Sequence, residues 1–189
     1  MRGEYWHAAF WLLVVGSWVF GVAYGRWGGG GEFFVDLSQA VRVPSPLELG
    51  AWWQPLVYFA FTVLATFVLA QLFFGVGAAV FLFSRGIYDS VLITQLEQMV
   101  GGWSFPNIPA NEFWVVLFIV LILAMNLPLC LWAAHLGTRR AINMWYRLRG
   151  RPLKPEVSAG PVPTLLLILA ASVAAGLVGA LIISYTQAF

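Results

Sequence analysis

From Pro55 to Phe83 the chain places no charged side chain, and then the stretch FLFSRGIYDS sets Arg85 and Asp89 four residues apart. The apolar pattern continues to Leu96, interrupted by charged or amide side chains only at Gln71, Arg85, Asp89 and Gln95. A transmembrane helix needs about 20 mostly apolar residues, so this run fits two crossings with a tight turn near Gln71–Gly77. One long tilted helix with Arg85 already in water is the alternative.

Composition supports the membrane reading. The sequence is 61% hydrophobic and 10% charged, where a soluble domain carries about 45–50% and about 25%. Polar surface is too scarce to cover a particle in water. Ten Trp, six Tyr and fifteen Phe suit a chain whose amphipathic rings collect at the headgroup level. The single cysteine, Cys130, excludes an internal disulfide framework and a cysteine-based metal cluster.

Three further apolar runs read as spans, near residues 7–25, 113–136 and 164–184. With 55–72 and 74–96 they make an all-α, polytopic helix bundle of about five transmembrane helices. It forms one integral membrane domain over residues 1–189, a multi-pass protein of the cell membrane. The first run is read as a retained helix rather than a signal peptide, because MRGEYWH balances one Arg with one Glu and no small-residue cleavage signature is clear before the glycine run.

Six of the ten basic residues, Arg139, Arg140, Arg147, Arg149, Arg151 and Lys154, fall in the 137–160 connection, with no acid until Glu156. Placing that basic loop in the cytoplasm puts the N-terminus inside and the C-terminus outside. The 26–53 connection then forms an outer loop, and its segment Phe33 to Val41 has the spacing of an interfacial amphipathic helix. The basic loop is either an ordinary positive-inside signal or a docking surface for anionic lipid or a cytoplasmic partner. Nucleic acid is not an expected partner.

Arg85 and Asp89 share one helical face at i, i+4 and can pair. With the third span starting near Phe74, Arg85 lies about 16 Å from the inner surface, too deep for easy snorkelling. Asn126 and Pro128 interrupt the fourth span. Pro removes a backbone donor, and Asn126 can satisfy a freed carbonyl or bond toward the Arg85 face. Arg85, Asp89 and Asn126 thus form the candidate intramembrane polar site, either a structural pairing or a contact for partner or substrate. His7 and His135 read as interfacial residues.

Small residues four apart line the last span at 171/175/179 and 172/176/180, and the first at Ser17, Gly21 and Gly25. Such strips let helices approach closely, so Gly21, Gly25, Gly86, Gly176 and Gly179 are candidate packing positions, within the bundle or between copies. The GGGG run lacks the Gly-Lys-Ser/Thr of a phosphate loop. No Ser-His-Asp set, HExxH or accessible carboxylate dyad occurs, so neither an enzyme nor a bound cofactor or metal is expected.

Taken in order, LLVVGSWVFGVAYG, FFVDLSQAV, FFGVGAAVFLFSRGIYDSVLI and MNLPLCLWAAHLG, then a basic loop and a small-residue final span, resemble the stage II sporulation protein M family, a group of five-span integral membrane proteins. Arg85–Gly86 matches the basic residue and glycine of its double span, Ser90 takes the place of a later small residue, and Asp89 departs from the pattern. The resemblance implies a non-enzymatic membrane scaffold that anchors peptidoglycan-remodelling hydrolases, as the stage II sporulation proteins D and P are held during engulfment. Cell-wall remodelling partners are then expected, while the small-residue strips leave a homo-oligomer as one alternative. The alternative is a membrane subunit of a transporter or channel-like complex with a polar path at Arg85, Asp89 and Asn126.

Overall fold

The computed structural model describes residues 2–27, 52–101, 110–150 and 162–187. The amphipathic segment expected at Phe33–Val41, and Arg151 and Lys154 of the basic cluster, lie outside them. All the regular elements among the described residues are helical: α1 (Arg2–Trp27), α2 (Gln54–Gln71), α3 (Val76–Gly101), α4 (Ala110–Leu121), α5 (Leu127–Leu148) and α6 (Val162–Gln187). Four helical stretches are long and apolar enough to cross a membrane, Ala8–Trp27, Gln54–Gly101, Phe113–Leu148 and Val162–Tyr185. This is consistent with a multi-pass membrane protein.

The stretch Gln54–Gly101 reverses on itself. Phe73 (φ 50°, ψ 38°) and Phe74 (φ 55°, ψ 40°) leave the right-handed helix, and Gly75 follows at φ 104°. Glycine is required at the last position twice over. Its φ is closed to L side chains, and a Cβ there would meet Thr138 Oγ1 at 2.8 Å. Beyond the turn, α3 packs back along α2. Val63, Phe67 and Ala70 share a core with Ala78, Phe81 and Leu82, while Tyr58 and Phe59 share one with Leu92. Residues roughly equidistant from the turn therefore meet, as in an antiparallel hairpin.

Glycine contacts set the direction of the other helices. Gly21 faces Phe83 and Gly86, and Gly25 faces Ile87 and Ser90, so α1 and α3 run parallel. Gly137 of α5 abuts Phe67 and Ala70, while Asn126 bonds near Phe59, so α5 runs parallel to α2. Gly176 and Gly179 of α6 meet Leu56 and Pro55, while Ser172 reaches Phe59, so α6 opposes α2. One end of the bundle, the turn end, thus gathers Phe10, the 72–75 turn and Thr138. The opposite end gathers Arg26, Trp53, Glu97 and Tyr185.

Helical structure continues through the polar-Pro interruption of the fourth span. Ile122–Asn126 form a π-turn in which the Leu127 N–H bonds to the Ile122 carbonyl, and α5 continues with Pro128 in its first turn. A π-turn absorbs one extra residue, accommodating the missing proline donor without breaking the helix.

Two helices run beyond the expected span limits. The segment placed in a basic loop, 137–160, is helical as far as Leu148. The residues after Gly137, TRRAINMWYRL, contain neither Gly nor Pro, and a basic residue in the last turn complements the helix dipole. Gly150, at φ 64° with its N–H on the Arg147 carbonyl, closes the helix. The third span likewise extends past residue 96 to Gly101.

The exterior is apolar, with Leu12, Phe20, Phe61, Val80, Leu166 and Leu181 among the exposed side chains. The interior holds buried polar groups between two apolar clusters, one toward each end. Inward polarity and outward apolarity suit a bilayer as solvent.

Candidate functional site: a sealed polar network

Arg85, Asp89 and Asn126 come together at mid-depth, where they are 4%, 1% and 0% exposed. Arg85 Nε donates to Asp89 Oδ2 at 3.3 Å. Its Nη1 donates to Asn126 Oδ1 and lies 3.1 Å from Cys130 Sγ. The i, i+4 spacing lets the carboxylate reach Nε, and the π-turn places Asn126 across from the guanidinium on the neighbouring helix.

The network extends to all the apolar spans. From α1, Trp18 Nε1 donates to Asp89 Oδ2 at 2.8 Å. From α2, the Thr62 hydroxyl lies 3.1 Å from Asn126 Oδ1 and 2.8 Å from the Tyr58 carbonyl, and its one proton goes to either. Asn126 Nδ2 donates to the Phe59 carbonyl at 3.4 Å. From α6, the Ser172 hydroxyl donates to that same carbonyl at 2.7 Å. Thr66, also buried, donates to the Thr62 carbonyl at 2.6 Å. One unmet demand remains: Arg85 Nη2 is buried and has no hydrogen-bond partner.

Trp18, Thr62 and Thr66 were not singled out from the sequence, and Cys130 and Ser172 only as the lone cysteine and a small packing residue. A signal existed for Trp18 alone: an interfacial tryptophan belongs at the end of a span, and this one sits mid-way along the first.

The five candidate packing glycines all sit against another helix. A Cβ on Gly21 would overlap the Phe83 carbonyl oxygen, one on Gly25 the Ser90 hydroxyl, and one on Gly86 the Trp18 carbonyl. At Gly176 it would lie 2.8 Å from Leu56 Cα, and at Gly179 2.9 Å from Phe118 Cε2. These strips are seams within the bundle. At the opposite end Arg26 Nη2 pairs with Glu97 Oε2 between α1 and α3, in an exposed setting.

Of the basic cluster, Arg139, Arg140 and Arg147 are exposed on α5, and Arg149 caps it. The Arg140 guanidinium lies 5.9 Å from the Phe67 ring centre, and that of Arg149 lies 4.4 Å from Trp145. His135 stacks on Trp11 at 5.6 Å and meets the edge of Phe10. Among the described residues no group of three or more His, Cys, Asp or Glu is placed to hold a metal.

The fold and site define a class, a helical bundle with apolar exterior whose buried charges tie its helices together. Compared with family models, curated proteins and solved structures, the chain matches none.

Proposed function

We propose that the protein is a non-enzymatic, multi-pass membrane scaffold that crosses the bilayer five times, N-terminus inside and C-terminus outside, and holds partner proteins at the membrane. The observation that carries this reading is the burial of Arg85, Asp89 and Asn126. A conducting path needs a wetted polar lining, whereas these groups are enclosed and spend their bonds on neighbouring helices. Such a network fixes helix register and leaves the ends of the bundle for partners.

The antiparallel hairpin supports counting Gln54–Gly101 as two crossings, and the arginine-bearing end of α5 is the cytoplasmic one by the positive-inside rule. The likeness to the stage II sporulation protein M family adds extracytoplasmic hydrolases of the cell wall as the partner class. Topology is testable with membrane-impermeant thiol reagents on intact cells. Glu97→Cys is expected to react from outside, and Leu148→Cys only after permeabilisation. The reverse pattern rejects the orientation, and equal labelling of both rejects the crossing by Phe113–Leu148.

A second reading, a transporter or channel-like subunit, draws on the unpartnered Arg85 Nη2, a donor that a passing anion would meet. The two readings separate on purified protein. The scaffold reading expects a reproducible partner in a detergent pull-down and no solute flux in liposomes. Recovery of this chain alone counts against the scaffold. Flux that disappears when Arg85 and Asp89 are replaced by a matched apolar pair establishes transport instead.

A further inference from the structure

The 72–75 turn raises a problem that chain reversal does not solve. Left-handed backbone costs a non-glycine residue about 1–2 kcal/mol, and glycine or asparagine adopts it routinely. Yet two consecutive positions of this turn, Phe73 and Phe74, carry phenylalanine at φ 50° and 55°. Their rings are not kept for the core, since Phe73 is 80% exposed and Phe74 is exposed as well. Strained backbone with exposed side chains is grounds for assigning those side chains a task.

Their surroundings identify the task. Thr138 of α5 contacts Gly75 and donates to the Ala70 carbonyl at 3.4 Å. Beyond that level α5 runs on to Leu148, and its Trp145 meets the edge of Phe74 at 5.8 Å. The exposed arginines 139, 140, 147 and 149 therefore share this end with the two phenylalanines. No aspartate or glutamate occurs between residues 52 and 88 or between 113 and 150. The ion pairs among the described residues are elsewhere, Arg26–Glu97 and Arg85–Asp89. Among the described residues the helix directions bring Glu4 alone of the acids to this end, against the four exposed arginines of α5 and its cap, so the end is cationic, and its rings continue the apolar exterior through exposed Val68, Leu72 and Val76.

We infer that the turn end is a binding surface for anionic phospholipid, with Arg139, Arg140, Arg147 and Arg149 on the headgroup phosphates and Phe73 and Phe74 inserted among the upper acyl chains. A soluble phosphate would satisfy the arginines but leave the rings in water. A lipid satisfies both, because its charge and its hydrocarbon belong to one molecule. The inference rests on the helices spanning a bilayer and needs no partner protein, so it stands or falls separately from the scaffold reading.

The test is lipid selection by the full chain in mixed micelles of phosphatidylglycerol and phosphatidylcholine, read as the composition of co-purified lipid. Wild type is expected to enrich phosphatidylglycerol at least tenfold. Each arginine-to-glutamine change should lower that enrichment up to about fivefold, and the quadruple variant should abolish it. Phe73→Gly should lower total retained lipid severalfold. It relieves left-handed strain, so it is expected to melt no lower than wild type, and lost retention then reflects the missing ring. Equal retention of both lipids by wild type overturns the inference, as does unchanged selectivity in the quadruple variant. Displacement of the bound lipid by millimolar glycerol phosphate overturns the bilayer assignment.

Discussion

Replacing Asp89 by alanine is expected to remove most folded protein from the membrane, and replacing Arg85 by methionine together with Asp89 by leucine is expected to restore a large part of it. Removing one partner of a buried pair costs about 3–5 kcal/mol, because the survivor is left charged and uncompensated. Here the survivor is more exposed to that penalty than most. Arg85 Nη2 already lacks a partner, so losing Asp89 leaves the guanidinium only the neutral acceptors Asn126 and Cys130. The apolar pair removes the charge altogether. Asn126 still reaches Thr62 and the Phe59 carbonyl, and the remaining loss is the Trp18 donor, worth about 1–3 kcal/mol if left unpaired. Asp89→Asn, which keeps an acceptor for Trp18 but not the charge, should fall between. Monodisperse yield and melting temperature in mild detergent measure the series. If the double variant is no better than Asp89→Ala, charge compensation is not what Asp89 provides.

The series also bears on why the network recruits every apolar span. In lipid, apolar surfaces gain little by choosing one another, so close backbone packing and interhelical hydrogen bonds must select register. Trp18 fixes α1 to α3, Asn126 joins the π-turn to α2 and α3, and Ser172 adds α6 at the Phe59 carbonyl. A scaffold needs that kind of register, since partners read the relative positions of its ends.

How much of this was legible in the sequence follows from the same physics. Arg85 and Asp89 announced themselves because any charge is conspicuous in an apolar run, and Pro128 drew attention to Asn126. The hydroxyls of Thr62, Thr66 and Ser172 did not, because they occur freely in membrane helices and, where every face is apolar, no periodicity marks the inner one. The hairpin turn was legible as a place, near Gln71–Gly77, but not as a conformation. Nothing in LFFG except Gly75 advertises left-handed backbone. The helicity of the end of α5 was not legible for a different reason: its arginines signal an aqueous location, and charge reports solvent and says little about helicity. Small-residue strips were readable as seams. Whether they met a neighbouring helix or a second copy depended on helix directions that only the folded chain supplies.

Those seams give the second large expected effect. Gly86→Leu should separate α1 from α3 and lower folded yield as severely as loss of Asp89. A Cβ at Gly86 overlaps the Trp18 carbonyl and lies 2.9 Å from the Val22 nitrogen. Both are backbone atoms, so no side chain can swing aside and the whole of α1 must move. Ordinary overpacking costs about 1–3 kcal/mol. Here displacement of α1 also withdraws Trp18 from Asp89 and Arg26 from Glu97, so the loss should exceed that range. The coupling is itself measurable. Once α1 is displaced, Trp18→Phe should cost almost nothing further, whereas in the wild-type background it removes a partly buried hydrogen bond. Non-additivity of that size marks residues in one network. Gly16 supplies the control on the same helix, because a Cβ there meets nothing within 4 Å. Gly16→Ala should gain up to about 1 kcal/mol from helix propensity. Thermal melting of wild type and the four variants in one detergent decides the matter, and a Gly86→Leu variant melting alongside Gly16→Ala would show that α1 does not sit on α3 through this seam.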